Sequence, residues 1–264
     1  VLFDKITHYE QEEGTKDVQV RFYALNVFKN LDINFASQEE INFCLGKKNN
    51  NPKFIKKWFH QTNFCNKIAE KGYCKFNKDF LKDRKTVYFE GYFQNEKYFL
   101  DIKDEIREQF AFSEIQDEYY KMQAKKILSS KNPVFIHLRR GDYKNSDCLC
   151  AGYYKNAVKY IKDRINSPLF FVFGENCREF AEKELDMGCN FEFIGTDNVT
   201  PLNHHFDMQL MSLCSHGIIA NSTYSFWGAW LINNKDKIIV APSPWLYNKD
   251  DIICKDWVKL SSRG

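Results

Sequence analysis

The second half of the chain alternates short apolar runs with segments of helical periodicity, and this alternation restricts the fold more than any other feature. The strand-like runs cover residues 133–138, 169–173, 191–194, 217–220 and 237–241. Apolar residues at helical spacing occupy most of the sequence between these runs. Because continuous apolar runs are typical of strands buried on both faces, the pattern predicts an α/β domain with a doubly wound parallel sheet.

The first half of the chain is less regular and predicts a separate domain. Residues 38–83 are rich in Lys, Asn and Phe and favour helices, whereas residues 86–93 alternate in the manner of a strand. A charge-rich helical pattern follows over residues 101–128, and turn-forming residues then interrupt it. We therefore expect two domains, residues 1–130 and residues 131–264.

The charge of the chain excludes one class of partner. Its 38 Lys and Arg residues and 35 Asp and Glu residues give a formal charge of +3, scattered along the sequence. Nucleic-acid-binding proteins concentrate basic residues on one face or in one run, so we do not expect nucleic acid as a partner. Any anionic ligand must instead be held by a local site.

Cysteine usage and hydropathy favour a cytoplasmic protein. The nine cysteines are odd in number and show no regular framework, which favours free thiols in a reducing compartment. The sequence contains no run of 18 apolar residues and no basic-then-apolar leader. The chain opens with Val1 inside a strand-like run, so we expect further residues to precede it in the complete protein.

Two adjacent arginines stand at the predicted carboxyl end of the first apolar run of the second half. The segment contains, in order, His137, Arg139, Arg140, Gly141 and Asp142. Partly desolvated guanidinium groups are costly unless an anion neutralises them, and their forked donors match phosphate oxygens. Asp142 could orient one of the forks. A purely structural network of ion pairs between the arginines and Asp142 is the alternative.

A second polar segment follows the apolar run 217–220. Its residues are Asn221, Ser222, Thr223, Tyr224 and Ser225, and they open the next helical pattern. Backbone N–H groups at a helix start, together with Ser and Thr hydroxyls, form a cradle for anions, although capping of the helix would explain the same residues. Because ligands of parallel sheets bind outside the carboxyl ends of the strands, both segments point to an anion site at that edge.

The sequence contains no evident metal site for such an anion. The Asp-x-Asp motif, which metal-dependent sugar transferases use beneath a diphosphate, does not occur. His204 and His205 are adjacent, so their side chains diverge. Walker, Gly-x-Ser-x-Gly and Gly-x-Gly-x-x-Gly motifs are also absent. We expect no metal and no cofactor, with arginines and helix starts balancing the negative charge.

The pattern His-x-Arg-Arg-x-Asp at residues 137–142 resembles one shared by α-1,2-, α-1,6- and protein O-fucosyltransferases. Further segments are similar to bacterial members of the α-1,2 group, which is glycosyltransferase family 11. These segments are residues 91–94, 153–157, 211–227 and 237–257. The likeness extends over nearly the whole chain and is strongest from Thr86 onward.

The chain departs from the family pattern in three places, one of which is the conservative replacement of a common Trp by Phe226. Family members open with a Gly-Gly-x-Gly-Asn-Gln segment, which this sequence lacks. Many relatives have Phe-Ser-Asp-Asp where residues 173–176 read Phe-Gly-Glu-Asn. By the resemblance, Glu175, which matches the first Asp of that segment, would recognise guanine.

The resemblance implies a GT-B arrangement, in which two Rossmann-like domains face each other across a cleft. Residues 1–130 would form the acceptor-side domain, and residues 131–264 would bind GDP-fucose. By similarity, His137 holds the nucleotide and Arg139 the β-phosphate, while Arg140 and Asp142 fix that geometry. The residues expected to line the diphosphate and the fucose are Asn221, Ser222 and Ser225.

The implied reaction is the metal-independent transfer of L-fucose from GDP-β-L-fucose to the 2-hydroxyl of a terminal galactose, with inversion. The expected acceptor is an oligosaccharide or lipopolysaccharide, and a lipid-linked acceptor would bring the enzyme to the inner face of the membrane. Neither Asp207 nor His216 has a claim to be the general base beyond structural support. A fucosyltransferase of α-1,6 or protein-O type and a non-catalytic nucleotide-sugar-binding protein are the alternatives.

Overall fold

The chain forms two compact units, Val1–Ala111 and Phe112–Gly264. The structure is a computed structural model that describes residues 2–4, 24–45, 66–72, 74–82, 87–140, 148–175, 177–185, 191–194, 204–246 and 249–264. The acceptor and donor roles expected for residues 1–130 and 131–264 stay predictions. The GT-B arrangement, in which two domains face each other across a cleft, also stays a prediction.

The described strands of the first unit form two parallel pairs. Strand β1 (Leu2–Phe3) pairs with β2 (Asn34–Phe35), and β3 (Asn66–Ala69) pairs with β4 (Val87–Glu90). The described helices of this unit are α1 (Gln38–Cys44) and α2 (Lys103–Gln109). Short 3-10 segments cover Leu25–Val27, Lys78–Leu81, Glu96–Tyr98 and Leu100–Ile102.

Sequence reasoning was only partly right about this unit. The strand expected over residues 86–93 is present as β4. The expectation of helices over residues 38–83 is right for α1, which starts at a capping box between Ser37 and Glu40. It is wrong for β3, because pairing with β4 outweighs the local helical propensity of that segment.

The second unit contains a parallel sheet with helices between its strands. Its strands are β5 (Pro133–His137), β6 (Leu169–Phe173), β7 (Phe191–Ile194), β8 (His216–Ile218), β9 (Ile239–Ser243) and β10 (Val258–Ser261). Its helices are α3 (Glu118–Ser129), α4 (Ala151–Lys162), α5 (Arg178–Glu184), α6 (His204–Leu213) and α7 (Thr223–Leu231). The five predicted strands are confirmed, and β10 was not predicted because its alternating burial at the sheet edge gives no continuous apolar run.

The order of the strands identifies the place where a ligand of this sheet would bind. The six strands are all parallel and lie in the order β10-β9-β8-β5-β6-β7. The chain therefore builds outward from β5 to β7, returns to the centre at β8, and builds outward again to β10. This is the Rossmann order, and its topological switch point lies between β5 and β8.

Both faces of the sheet are covered. On one face, alternate residues such as Val134 and Ile136 join a buried cluster with Tyr153, Ala157 and Ile161 of α4. The other alternate residues of β5 face the opposite side, where the ring of His137 lies against Tyr224 of α7. Helices α6 and α7 pack closely on each other: a Cβ at Gly228 of α7 would lie only 3.0 Å from the Cβ of Met211 in α6.

The structure shows two features of its helices and thiols. No helix in the described part of the chain is long and apolar enough to cross a membrane. The described thiols of Cys150, Cys177 and Cys214 are free. The cytoplasmic location itself stays a prediction.

Candidate functional site

The two polar segments singled out from the sequence lie at the switch point of the sheet. In the register of β5 and β8, Val134 is opposite His216 and Ile136 is opposite Ile218. The residues that follow these two strands therefore meet at the same edge, one strand spacing of roughly 4.8 Å apart. Sequence reasoning placed both segments at strand ends, and the structure makes those strands neighbours.

His137 is buried at the carboxyl end of β5, with 4% of its surface exposed. Burial, and then the positive charge of Arg139, lowers the pKa of His137 to about 3, so its imidazole is neutral at pH 7. Its Nδ1 is buried and has no hydrogen-bond partner among the described residues. The ring centroid lies 5.7 Å from that of Tyr224 in the first turn of α7. A neutral imidazole offers one donor and one acceptor to a ligand.

The two adjacent arginines have different surroundings. The guanidinium of Arg140 lies over the ring of Phe180 in α5, 4.0 Å from its centroid, which is a cation–π contact. The charge of Arg139 instead acts on His137 and Tyr224, on the opposite side of the sheet. Arg139 thus lies beside the start of α7, while Arg140 is engaged in packing. Asp142 belongs to residues 141–147, which lie outside the described part of the chain.

The start of α7 is open to a ligand. Ser222 is the N-cap residue of α7, but its side chain makes no capping hydrogen bond, so capping by Ser222 does not explain this residue. Asn221 and Ser222 are buried, with 3% and 7% of their surfaces exposed. The N–H groups of the first turn and the positive end of the helix dipole favour an anion at this point.

Ser225 is buried and contributes to the structure of the turn before α7. It is fully buried, and its hydroxyl donates to the carbonyl oxygen of Ser222 at 3.1 Å, with that of Ala220 at 3.4 Å. The side chain therefore braces the turn that leads from β8 into α7. A direct contact between Ser225 and fucose is not supported by this arrangement.

Glu175 stands on the exposed loop after β6. The preceding Gly174 has a φ of +146°, and a Cβ there would lie 2.2 Å from the carbonyl oxygen of Leu138. Only glycine allows this close approach, which brings the loop after β6 against the loop after β5. The charge of Glu175 raises the pKa of Asp207, so these two carboxyl groups lie near each other.

Asp207 is a member of this site that the sequence analysis assigned only to structural support. It lies in the first turn of α6 and is 8% exposed, and within the described part of the chain its Oδ1 has no hydrogen-bond partner. Burial, followed by the charge of Glu175, raises its pKa to about 7. The next residue, Met208, donates its N–H to the hydroxyl of Tyr224 at 2.9 Å.

An acidic residue in a first helical turn is ordinary, so no local pattern singles out Asp207. The unusual feature is that its Oδ1 is buried with no partner among the described residues, and that burial depends on the packing of α6 and α7. His216, the other residue in question, does have a structural role. Its Nδ1 accepts a hydrogen bond from the N–H of Ile238 at 3.0 Å.

These groups together suit a ligand that has an anionic end and a donor-rich ring. Arg139 and the start of α7 provide positive charge and N–H donors for phosphate oxygens. Asp207 Oδ1 is a buried acceptor, and Nδ1 of the neutral His137 is a buried acceptor or donor according to its tautomer; neither has a partner among the described residues. Among the described residues, no group of three or more His, Cys, Asp or Glu side chains could hold a metal ion.

Comparison with known proteins gives one family. The family model for Glycosyl transferase family 11 matches residues 25–261 of the chain. An alpha-1,2-colitosyltransferase of Escherichia coli is 33% identical over 189 residues, which cover 66% of this chain and 63% of that protein. The O-antigen biosynthesis glycosyltransferase WbnK of Escherichia coli is 30% identical over 227 residues, covering 81% of this chain and 68% of that protein. The chain thus spans about two thirds of the length of these relatives.

Proposed function

The chain belongs to glycosyltransferase family 11, and from that premise we propose that it transfers L-fucose from GDP-β-L-fucose to the 2-hydroxyl of a terminal galactose, with inversion. The proposed acceptor is a glycan of the O-antigen type. One observation supports this most strongly: Arg139 and the start of α7, where the Ser222 side chain makes no capping hydrogen bond, lie at the switch point of a Rossmann-ordered sheet. That is where such sheets bind nucleotides through their phosphates.

The nucleobase end of the proposed donor fits the buried groups beside Arg139. Guanine carries N–H donors on its Watson–Crick edge, and a carboxylate such as that of Asp207 accepts them. Oδ1 of Asp207 and Nδ1 of His137 are buried with no partner among the residues that the structure describes, and a buried polar atom without a partner is costly. Donors on a bound base would satisfy these atoms, with Glu175 on the exposed side of the same group.

The diphosphate end of the donor fits Arg139 and the first turn of α7. The bond from fucose to the β-phosphate lengthens in the transition state, and negative charge accumulates on the leaving GDP. Donors placed at that charge stabilise the transition state more than the ground state. Arg140, fixed on Phe180, and Asp142 would position this loop rather than touch the phosphate.

The oxocarbenium-like fucosyl centre needs little nucleophilic push from the acceptor hydroxyl, as in other glycosyl chemistry. In this proposal the charge on the leaving group is balanced by the chain's own side chains and backbone, so transfer is independent of metal ions. Activity should therefore persist in EDTA. Full loss that Mn²⁺ restores would overturn this part of the proposal.

A second candidate for the transferred sugar is colitose, the 3-deoxy counterpart of fucose. The relative at 33% identity is named an alpha-1,2-colitosyltransferase, which favours this sugar. The two candidates share the L-galacto configuration and the 1,2 linkage, so the same site could hold either. Parallel assays with GDP-fucose and GDP-colitose at equal concentration decide between them by the ratio of kcat/KM.

The test of the function is a transfer assay with radiolabelled GDP-fucose and a panel of galactose-terminated saccharides. The proposal expects a product in which fucose is linked to O2 of galactose, read by NMR linkage analysis. A product linked at O6 of a hexosamine, or at a serine or threonine, would show a fucosyltransferase of the α-1,6 or protein-O type instead. Calorimetric binding of GDP without any transfer would show a non-catalytic binder.

A further inference from the structure

The segment Gly91–Gln94, which the donor site does not use, lies where two parallel strands of the first unit end. In the register of β3 and β4, the terminal residues Ala69 and Glu90 are opposite each other. Glu70 and Gly91, the next residues, therefore stand side by side at the carboxyl edge of this strand pair. This is the edge at which open α/β sheets bind their ligands.

Tyr92 is exposed at this edge. About 77% of its surface is accessible, which is the largest value among the exposed large apolar side chains of the described residues. A single exposed aromatic ring is common and needs no functional explanation by itself. Tyr92 is different because its backbone is held firmly. The N–H groups of Tyr92 and Phe93 donate to Oε2 of Glu70 at 2.9 Å and 3.1 Å.

The packing beneath Tyr92 also fixes this turn. Phe93 has a φ of +49°, a left-handed value that is uncommon for a large side chain. Its ring lies 5.0 Å from that of Phe80 and 5.6 Å from that of Tyr98. A Cβ at Gly91 would lie 2.5 Å from the Cβ of Glu70, so the two strand ends touch. The structure thus presents the ring of Tyr92 to solvent on a rigid support.

Glu70 supplies a polar group beside the ring. Its Oε2 is occupied by the two N–H groups, whereas its Oε1 is buried and has no hydrogen-bond partner among the described residues. A buried acceptor without a donor is costly until a donor reaches it. A hydroxyl group of a ligand is such a donor. An exposed aromatic ring and a carboxylate at the same turn suit a sugar, which has an apolar C–H face and hydroxyls at its rim.

We propose that this edge, formed by Tyr92 and Glu70, binds the terminal galactose of the acceptor glycan. The inference rests on the proposed function, which requires a galactose-terminated acceptor. The C–H groups at C3, C4 and C5 of galactose form an apolar patch that stacks on the ring of Tyr92. A sugar hydroxyl donates to Glu70. The ligand needs no charge here, in contrast to the donor site.

The first test measures saccharide binding without any donor. Saturation-transfer difference NMR with methyl β-galactoside and lactose is recorded for the wild type, Tyr92→Ala, Tyr92→Phe and Tyr119→Ala. Tyr119 is 41% exposed on α3 and serves as the matched control. The wild type should show saturation at H3, H4 and H5 of galactose. Tyr92→Ala should lose it, Tyr92→Phe should recover most of it, and Tyr119→Ala should be normal.

The second test separates the acceptor from the donor in turnover. We expect Tyr92→Ala to lower kcat/KM for the acceptor by about tenfold or more, since a central aromatic anchor carries a large share of binding energy. The affinity for GDP, measured by calorimetry, should not change, which also shows that the variant is folded. Glu70→Gln keeps an oxygen for the two N–H groups and should lower acceptor kcat/KM without changing GDP affinity.

The outcomes distinguish this site from the proposed function. Normal galactoside binding by Tyr92→Ala, or no galactoside binding by the wild type, overturns the acceptor site. Unchanged acceptor kcat/KM in Glu70→Gln removes Glu70 from it. If the wild type binds galactosides through Tyr92 but neither binds GDP nor turns over GDP-fucose, the proposed function fails and the saccharide site stands.

Discussion

Arg139 and Arg140 are neighbours in sequence with different physical tasks. Consecutive residues at a strand end point to opposite faces of a sheet, so the two guanidinium groups lie on opposite sides. Arg140 stacks on Phe180, while the charge of Arg139 reaches His137 and Tyr224. Only Arg139 is therefore placed beside the start of α7.

We expect Arg139→Ala to lower kcat by on the order of 10²–10³, as with the loss of one donor at a developing charge. The protein should stay folded, because Arg139 is not part of the buried apolar core. Arg164→Ala is the matched control, since Arg164 is exposed just after the end of α4 and stacks on the half-buried ring of Tyr160. Near-normal turnover of purified Arg139→Ala, or equal loss in Arg164→Ala, would contradict the assignment.

Burial makes the ionisation of Asp207 unfavourable in the folded protein. Its pKa is raised from 3.8 to about 7, first by burial and then by Glu175. The folded state therefore holds a proton that the unfolded state releases between these two values. By linkage, the stabilising contribution of the protonated group is complete below about pH 4 and is lost as the pH rises through about 7.

We predict that Asp207→Asn is more stable than the wild type at pH 8, by about 1–3 kcal/mol in the free energy of unfolding. The difference should vanish near pH 3, below both pKa values, where Asp207 is protonated in both states. Asp256→Asn, on the exposed surface, is the control and should change little at either pH. Denaturant unfolding at the two pH values measures this. Equal stability of Asp207→Asn and the wild type at pH 8 would disprove it.

The same substitution should weaken the binding of GDP. If Asp207 accepts the N–H donors of guanine, the carboxylate form is the one that binds, so affinity should fall as the pH drops below about 7. Phosphate groups of GDP titrate in a similar range. The measurement is therefore the difference between the wild type and Asp207→Asn in calorimetric titrations at pH 6 and pH 8. A constant difference across this range would rule out the role.

At the scale of the element, the two ends of α7 are treated differently. Its first turn has no side-chain cap at Ser222 and faces the ligand edge. Its last turn is capped by Lys237, whose Nζ donates to the carbonyl oxygens of Ala229, Trp230 and Ile232 at 2.9–3.1 Å. Charge at the carboxyl end stabilises the helix, and the open amino end is left for an anion.

Lys237→Met should destabilise the protein by about 1–2 kcal/mol, because three carbonyl groups lose a charged donor. Lys235→Met, on the exposed surface nearby, is the matched control and should stay within about 0.5 kcal/mol. Chemical denaturation of both variants at neutral pH measures the difference. An equal effect of the two substitutions would show that the cap contributes nothing.

At the scale of the whole molecule, the second unit contains a complete sheet with helices on both faces. Every described residue of the candidate donor site also belongs to this unit. We therefore expect the fragment 112–264 to fold alone and to bind GDP. Circular dichroism and calorimetry would measure this, with Arg139→Ala in the fragment as a control for specific binding. A fragment that is unfolded, or that is folded without affinity for GDP, would show that the donor site needs the first unit.

The sequence predicted the parallel sheet and the residues at two of its strand ends, because a buried strand is a continuous apolar run that can be recognised locally. Five apolar runs marked five of the six strands, and the segments after β5 and β8 carried His137, Arg139, Asn221 and Ser222. The sequence was less informative for β3 and β10, which are a partly exposed strand and an edge strand. Such strands depend on pairing partners rather than on their own composition.

What the sequence determined by itself is the class of fold and the residues that approach the ligand edge, since both follow from local periodicity and from a contiguous motif. The tertiary structure decided which of these residues can serve a ligand. It placed β5 beside β8, turned Arg140 onto Phe180, buried Ser225 inside a turn and buried Oδ1 of Asp207 with no partner among the described residues. Each of these outcomes depends on contacts between residues far apart in the chain, which no local pattern records.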